Sequence, residues 1–330
     1  MNLTKLNSLL AVGVALGLVQ TGTVSLCYAA EDVKSVQNPD PVAQAPEPGL
    51  LPSALLSLSA GQSGFSHFAF LLDKKTRTLT VWKSEGDRIH LVSAVPADIG
   101  AHPGDKLTAG DFKTPEGIYF FQSTRSGKTL DFSRYGERIF TLDYPNYFDR
   151  MDKKTGNGIW LHGIPDSKSL LRGSHGCVVV RNKALEELAQ FIELKQTPIV
   201  VVNQAEYLSE RDWLLAQHKT RNWLDDWRSS WGNGNLDQYM EQYADGFHSR
   251  GMNKAQWREH KKGLYEKYRS IEIDLKDVQI FTEGQKVVIR FLQSYKSDRK
   301  TEFGTKILYA LRVEDKYKIV SEDWAPVRPL

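Results

Sequence analysis

Two stretches of this chain hold the residue types that acyl-transfer chemistry requires. His162-Gly163-Ile164-Pro165 comes first, and Arg172-Gly173-Ser174-His175-Gly176-Cys177-Val178-Val179-Val180-Arg181 follows after a short gap. A thiolate attacks a carbonyl carbon, so a neighbouring base must take the thiol proton, and a neutral imidazole does this near pH 7. Backbone amides must then meet the charge that develops on the carbonyl oxygen. Cys177 is the candidate nucleophile and His162 the candidate base. Gly176 permits a sharp turn and leaves room for a substrate carbonyl, which makes the amides of Gly176 and Cys177 the expected oxyanion donors. His162 closes an apolar run at 159–161 and precedes a glycine, as expected of a strand end. A second strand end beside it, carrying Cys177, would bring thiol and imidazole together.

The same residues admit other uses. Cys177 ahead of Val178-Val179-Val180 could simply pack as a small apolar side chain. His175 is either a second base or a residue that shapes the loop. His162, His175 and Cys177 could together hold zinc, but no Cys-x-x-Cys or His-Glu-x-x-His pair accompanies them, and no metal or cofactor is expected. The chain has two cysteines, Cys27 and Cys177. Residues 1–29 read as a secretory signal peptide: Lys5, an apolar stretch at 9–19 that is shorter than a membrane span, then Cys27-Tyr28-Ala29 at the expected cleavage point. Losing that segment leaves one thiol with no internal disulfide partner, in a periplasmic or cell-envelope setting. Such a thiol is either inert or a nucleophile.

The elements around these motifs divide the 330 residues into about two folded units. Residues 30–66 carry Pro39, Pro41, Pro46, Pro48 and Pro52 and are expected to form a tether, with a short helix near 50–58. From 67 to 204 short apolar runs predict strands at 68–72, 79–82, 89–95, 118–121, 159–162, 177–181 and 198–202, with one helix at 183–193. This predicts a mainly β catalytic domain of sandwich or barrel type. From 205 to 330 the pattern changes. Trp223, Trp227 and Trp231 recur every fourth residue and share a helix face, best explained as core against a sheet. Helices at 236–247 and 254–268 and four long strands from 271 to 324 imply an α+β unit. The net charge of +3 and the absence of a Lys/Arg-rich run argue against a nucleic-acid partner.

His-Gly, a gap, then Ser-His-Gly-Cys resembles the signature of the L,D-transpeptidase (YkuD) family. Thr114-Pro115-Glu116-Gly117 within 110–117, and Tyr144-Pro145-Asn146 with Asp149, are similar to the murein-processing proteobacterial branch of that family. The likeness covers roughly 67–203. It implies that Cys177 is the nucleophile and His162 the base, that the backbone carbonyl of Gly163 orients that base, that Ser174, His175 and Gly176 shape the loop, and that Tyr144 helps bind substrate. The implied partner is the peptidoglycan peptide stem, attacked at meso-diaminopimelate with release of D-alanine. An amine acceptor then gives a cross-link, and water gives a carboxypeptidase. The family's usual Arg two residues after the Cys is Val179 here. Arg181, on the same strand face about 6.6 Å further along at ~3.3 Å per residue, and Arg172 are the candidates to receive a substrate carboxylate. The C-terminal half resembles the cone-shaped nuclear-transport-factor-2-like fold, a plausible homodimer surface, in which Asp245 and His248 form no wider site. The two-domain fusion resembles the cell-shape-determining carboxypeptidases. A metal-dependent murein peptidase and a non-catalytic wall-binding module are the competing readings.

Overall fold

Two short strands open the folded chain where the sequence predicts a tether. They are β1 (Leu50–Pro52) and β2 (Leu55–Ser57). The computed structural model describes residues 40–59, 64–127, 130–314 and 316–327; the expected signal peptide lies outside them. Pro41, Pro46 and Pro48 precede these strands and Pro52 ends β1, and Leu51, Leu55, Leu56 and Leu58 are buried. Their backbone partners lie far along the chain, in strands near residues 208 and 280, so no local pattern could reveal them. Among the described residues of the expected tether this strap stands in place of it and of the expected short helix; residues 30–39 and 60–63 lie outside the described residues.

The next strands are β3 (Phe68–Asp73), β4 (Thr78–Glu85), β5 (Arg88–Pro96) and β6 (Gly117–Ser126). Helix α1 (Phe132–Tyr135), β7 (Arg138–Leu142) and helix α2 (Tyr147–Met151) follow. Then come β8 (Trp160–Ile164), β9 (Val178–Arg181), helix α3 (Asn182–Ala189) and β10 (Pro198–Val202). They form one eight-stranded mixed sheet in the order β5-β4-β3-β10-β6-β7-β8-β9. Both faces of its centre are buried, which explains why β3 and β10 read as continuous apolar runs. Phe70, Leu72, Ile199 and Val201 point into the core that also contains Cys177. Ala69, Leu71 and Val200 point the other way, into a core shared with the strap and the C-terminal half.

After β11 (Tyr207–Ser209) the chain enters α4 (Glu210–Gly232), capped by the Ser209 hydroxyl, which accepts from the Asp212 amide at 3.2 Å. Helix α5 (Leu236–Glu241), β12 (His248–Ser249), β13 (Met252–Asn253) and α6 (Lys254–Lys267) lead to β14 (Ile271–Glu283), β15 (Lys286–Ser297), β16 (Thr301–Val313) and β17 (Lys316–Pro326). The last four strands form an antiparallel sheet to which β2 adds a fifth. Trp227 and Trp231 are buried, Trp227 against Phe291 and Trp231 against Tyr239, so the tryptophan stripe is core. Helix α5 stops short of the predicted 247 because the next backbone is claimed by the sheet: Ala244 donates to the Ile319 carbonyl at 2.9 Å. The two halves meet through stacked Tyr147 and Tyr309, a Lys286–Asp152 ion pair at 2.7 Å, and the Arg290 guanidinium lying over Phe65 and Phe120.

Candidate active site

Strand β8 lies parallel to β9, with His162 opposite Val179. Cys177 stands immediately before β9 and two residues before Val179, so a continuation of the strand's alternation sets it on the sheet face of His162 as a diagonal neighbour. A strand spacing of ~4.8 Å and a ~3.3 Å rise put their Cα atoms roughly 8 Å apart, within reach of an imidazole ring. Both side chains are buried. The Cys177 thiol faces the Gly158 carbonyl at 3.7 Å. His162 Nδ1 lies 2.9 Å from the Gly163 carbonyl oxygen. A carbonyl can only accept, so Nδ1 carries the proton and Nε2 keeps its lone pair. Burial pushes the His162 pKa down to about 4, against the opposing pull of the Gly163 carbonyl. The ring is therefore neutral at pH 7, the state in which it accepts a proton.

The loop before Cys177 is closed on itself. The Ser174 hydroxyl donates to the Cys177 carbonyl at 2.6 Å and accepts from the Gly176 amide at 3.2 Å. The Gly176 amide, expected as an oxyanion donor, is thus engaged by Ser174, and it could meet an oxyanion only if that hydroxyl turned away. Gly176 has φ +125°, and a Cβ there would stand 2.6 Å from the Lys113 carbonyl oxygen and 3.2 Å from Ile159 Cδ1. His175 packs edge-on against Phe112, with ring centroids 4.5 Å apart, and partial burial lowers its pKa.

A second layer that sequence reasoning missed holds this loop. Asp98 exchanges backbone bonds with Val179 at 2.7 and 2.9 Å, and Ala101 donates to the Ser174 carbonyl at 2.9 Å. The Gly100 amide donates to Thr114 Oγ1 at 2.8 Å. Buried Lys74 gathers the intervening segment by donating to the Gly104 and Thr114 carbonyls, each at 2.7 Å, and to Glu116 at 2.8 Å. Burial lowers the Lys74 pKa, although Glu116 pulls it upward. Arg77 donates to Asp98 at 2.8 Å and to the Leu170 carbonyl at 2.6 Å. Burial raises Asp98 to about 6 despite the neighbouring Arg77. The only signal in the sequence was the family likeness within 110–117; Lys74 and Arg77 fall between the predicted strands 68–72 and 79–82 and belong to no motif.

The expected substrate-binding residues separate. Arg181 is occupied: its guanidinium pairs with Asp40 of the strap and donates to the Asp166 carbonyl and, at 2.8 Å, to the Lys168 carbonyl. It pins the loop before Cys177 instead of standing open for a carboxylate. Asp40 also accepts from the Leu170 amide at 2.7 Å; burial opposes its ionisation, but that amide and Arg181 hold its pKa below the usual carboxylate range. Tyr144 is buried, its hydroxyl donating to the Thr155 carbonyl at 3.0 Å, so it supports the core and does not line a cleft. Asn146 and Asp149 form a capping box on α2, which gives that motif a structural purpose. Arg172 alone of the three has an exposed side chain beside the loop, its Nε 3.3 Å from the Gly100 carbonyl. In the C-terminal half, Asp245 pairs with Lys254 at 2.9 Å. Among the described residues no group of three His, Cys, Asp or Glu side chains is placed to hold a metal ion.

Comparison with known proteins identifies the folds of the two halves. The L,D-transpeptidase catalytic domain of the YkuD type matches residues 68–201, and the Cds6 C-terminal NTF2-like domain matches residues 219–323. YafK of Escherichia coli, described as a candidate L,D-transpeptidase, is 28% identical over 158 residues, 47% of this chain. That match spans 59% of the length of the curated relative. The structure of Bd1075 from Bdellovibrio bacteriovorus is 40% identical with a TM-score of 0.80, covering 85% of this chain and 100% of that one. The helical cell shape determining protein Pgp2 from Campylobacter jejuni is 26% identical with a TM-score of 0.64, covering 81% of this chain and 94% of the other. With Cys177 and His162 set on adjoining strands of the matched domain and an NTF2-like unit packed behind it, the chain belongs to the L,D-transpeptidase (YkuD) family.

Proposed function

We propose that this protein is a cell-envelope L,D-carboxypeptidase that trims peptidoglycan peptide stems through a thioester on Cys177. The observation that carries this reading is the buried, neutral His162, its Nδ1 committed to the Gly163 carbonyl, on the same sheet face as Cys177. His162 Nε2 takes the thiol proton as sulfur attacks the carbonyl carbon joining meso-diaminopimelate to the terminal D-alanine. The C–N bond breaks, and the same proton passes from Nε2 to the departing amine. Water, deprotonated by His162, then attacks the thioester. The C–S bond breaks, the thiol is re-formed and a tripeptide stem leaves. Arg172 is the side chain best exposed to meet a stem carboxylate. Resolution by water is preferred over an amine because the two-domain fusion resembles the cell-shape-determining carboxypeptidases, a resemblance supported by a relative across both domains that is described as determining cell shape. Periplasmic placement follows from the signal peptide read at 1–29.

Incubation of the purified protein with tetrapeptide muropeptides, followed by mass spectrometry, tests this directly. Tripeptide products that vanish in Cys177→Ala support it. Cross-linked dimers in place of tripeptides would replace hydrolysis by transfer, and full turnover by Cys177→Ala would end the thiol mechanism. Recovery of the mature protein in the cytoplasmic fraction of cells would refute the placement.

A further inference from the structure

The His162 tautomer depends on one backbone carbonyl, and a carbonyl orients a ring only if it is itself held. The surroundings of Gly163 show how. Gly136, the residue that closes α1 at φ +64°, packs directly on the Gly163 peptide: a Cβ on it would lie 2.7 Å from the Gly163 carbonyl carbon and 2.9 Å from its oxygen. The preceding Tyr135 sets its ring edge-on to the His162 imidazole, centroids 5.3 Å apart at 79°. The end of α1 therefore touches both the base and the carbonyl that orients it.

What ties that helix end to the cysteine-bearing strand is Asn182, which directly follows β9. Its side chain is 6% exposed. Its Oδ1 accepts from the Glu137 amide at 3.1 Å, the first peptide after Gly136. That oxygen fills the slot between the two glycines: it is the nearest atom to a Cβ built on either Gly136 or Gly163. Any side chain at those two positions would collide with it.

We propose that Asn182 is a positioning residue for the base: by bonding the Glu137 amide and filling the slot between Gly136 and Gly163, it holds the Gly163 carbonyl against His162 Nδ1 and so keeps Nε2 unprotonated towards Cys177. The proposal rests on His162 serving as the base in the reading above. Without the Asn182 amide the Glu137 N–H loses its acceptor, the α1 turn is freed from β9, and the Gly163 peptide gains room to rotate. The imidazole then populates the tautomer with the proton on Nε2, which cannot accept one from the thiol.

The test uses the full mature chain and two readouts. The first is the second-order rate of Cys177 alkylation by iodoacetamide across pH, which needs no murein substrate. The second is kcat and KM on tetrapeptide stems. Asn182→Ala should lower alkylation at neutral pH and kcat by about tenfold to a hundredfold with KM little changed. Asn182→Asp, which retains an acceptor for the Glu137 amide, should recover most of the loss. If Asn182→Ala lowers only the melting temperature while the alkylation profile stays that of the wild type, Asn182 is merely structural and the proposal falls. If the alanine variant does not fold, 15N chemical shifts of the His162 ring in the wild type and Asn182→Ser decide the matter. An unchanged Nδ1–H signature in the serine variant overturns the proposal, and a shift towards Nε2–H supports it. Should the wild type alkylate in a His162-dependent way yet leave stems intact, the stem-trimming reading fails while the role of Asn182 stands on alkylation alone.

Discussion

A close constraint on the site is the contact between Gly176 and the segment that lies across it, and Gly176→Ala measures it. At φ +125° an L side chain is strained whatever the space, at a cost of roughly 1–3 kcal/mol. The new Cβ would also start 2.6 Å from the Lys113 carbonyl oxygen, where ordinary contact begins at 3.4 Å. Backbone on both sides must therefore separate by about 0.8 Å, and Lys113 cannot yield freely because Lys74 holds the next residue's carbonyl at 2.7 Å. The displacement falls on the residue next to Cys177. A misplacement near 1 Å at reacting groups costs up to ~100-fold in rate. The expected result is a kcat lower by about one to two orders of magnitude, with a melting temperature reduced by several degrees. Kinetics on tetrapeptide stems, iodoacetamide trapping of Cys177 and a thermal melt on the same preparation check it. A Gly176→Ala protein with wild-type turnover and wild-type melting would refute the claim that the Lys113 segment clamps the loop before Cys177.

Three further outcomes follow from the same contacts. His162 has a folded pKa near 4 against an ordinary value of 6.5, so the unfolded chain takes up this proton first and stability falls as pH drops from 6.5 to 4. Urea unfolding at pH 7 and pH 4.5 should show His162→Gln losing less stability than the wild type over that window, by up to about 3 kcal/mol, and equal losses would contradict the buried neutral ring. Lys74→Ala leaves Glu116 and two carbonyls without their buried partner and should destabilise by about 3 kcal/mol in the same assay, whereas a change below ~1 kcal/mol would mean that water replaces the amine. Asp40→Ala removes the acceptor of the Leu170 amide, so hydrogen exchange at Leu170 should accelerate while stability changes by less than ~1 kcal/mol; unchanged exchange there would show that the strap does not hold the loop.

What could be read from the sequence follows the range of the interactions involved. The strands at 68–72 and 198–202 announced themselves because double burial makes every residue apolar, a purely local record. The neighbouring positions of His162 on β8 and Cys177 just before β9 were readable for a similar reason, since each lies in a short motif whose residues contact one another. The secondary structure of segment 130–158 was not readable. Helix α1 has four residues and rests on one Asp131 cap, while α2 depends on the Asn146–Asp149 capping box, and neither is long enough to establish a period. Arg181 and Asp40 were beyond any local pattern, because 141 residues separate them. The Gly176 amide misled for another reason: glycine's freedom identifies a tight turn, but it cannot tell whether the freed N–H faces a substrate or the Ser174 hydroxyl.

The long-range contacts that escaped the sequence also explain why the catalytic fold carries a second unit behind it. Ala69, Leu71, Trp82, Ile118 and Val200 line the face of the catalytic sheet turned away from Cys177, and they belong to the same core as Leu55, Phe281 and Trp213. That face would be wet in a free catalytic domain. Here it is sealed by the strap and the C-terminal sheet, with β2 pairing to β14 and the Trp213 indole donating to the Leu55 carbonyl at 3.1 Å. The segment that completes this seal includes Asp40, which reaches across to Arg181 at the end of β9 and to Leu170 in the loop before Cys177. One continuous segment thus closes the back of the catalytic sheet, edges the C-terminal sheet and fixes the loop that presents Cys177. The geometry of the thiol is therefore set by a core that neither half could bury alone.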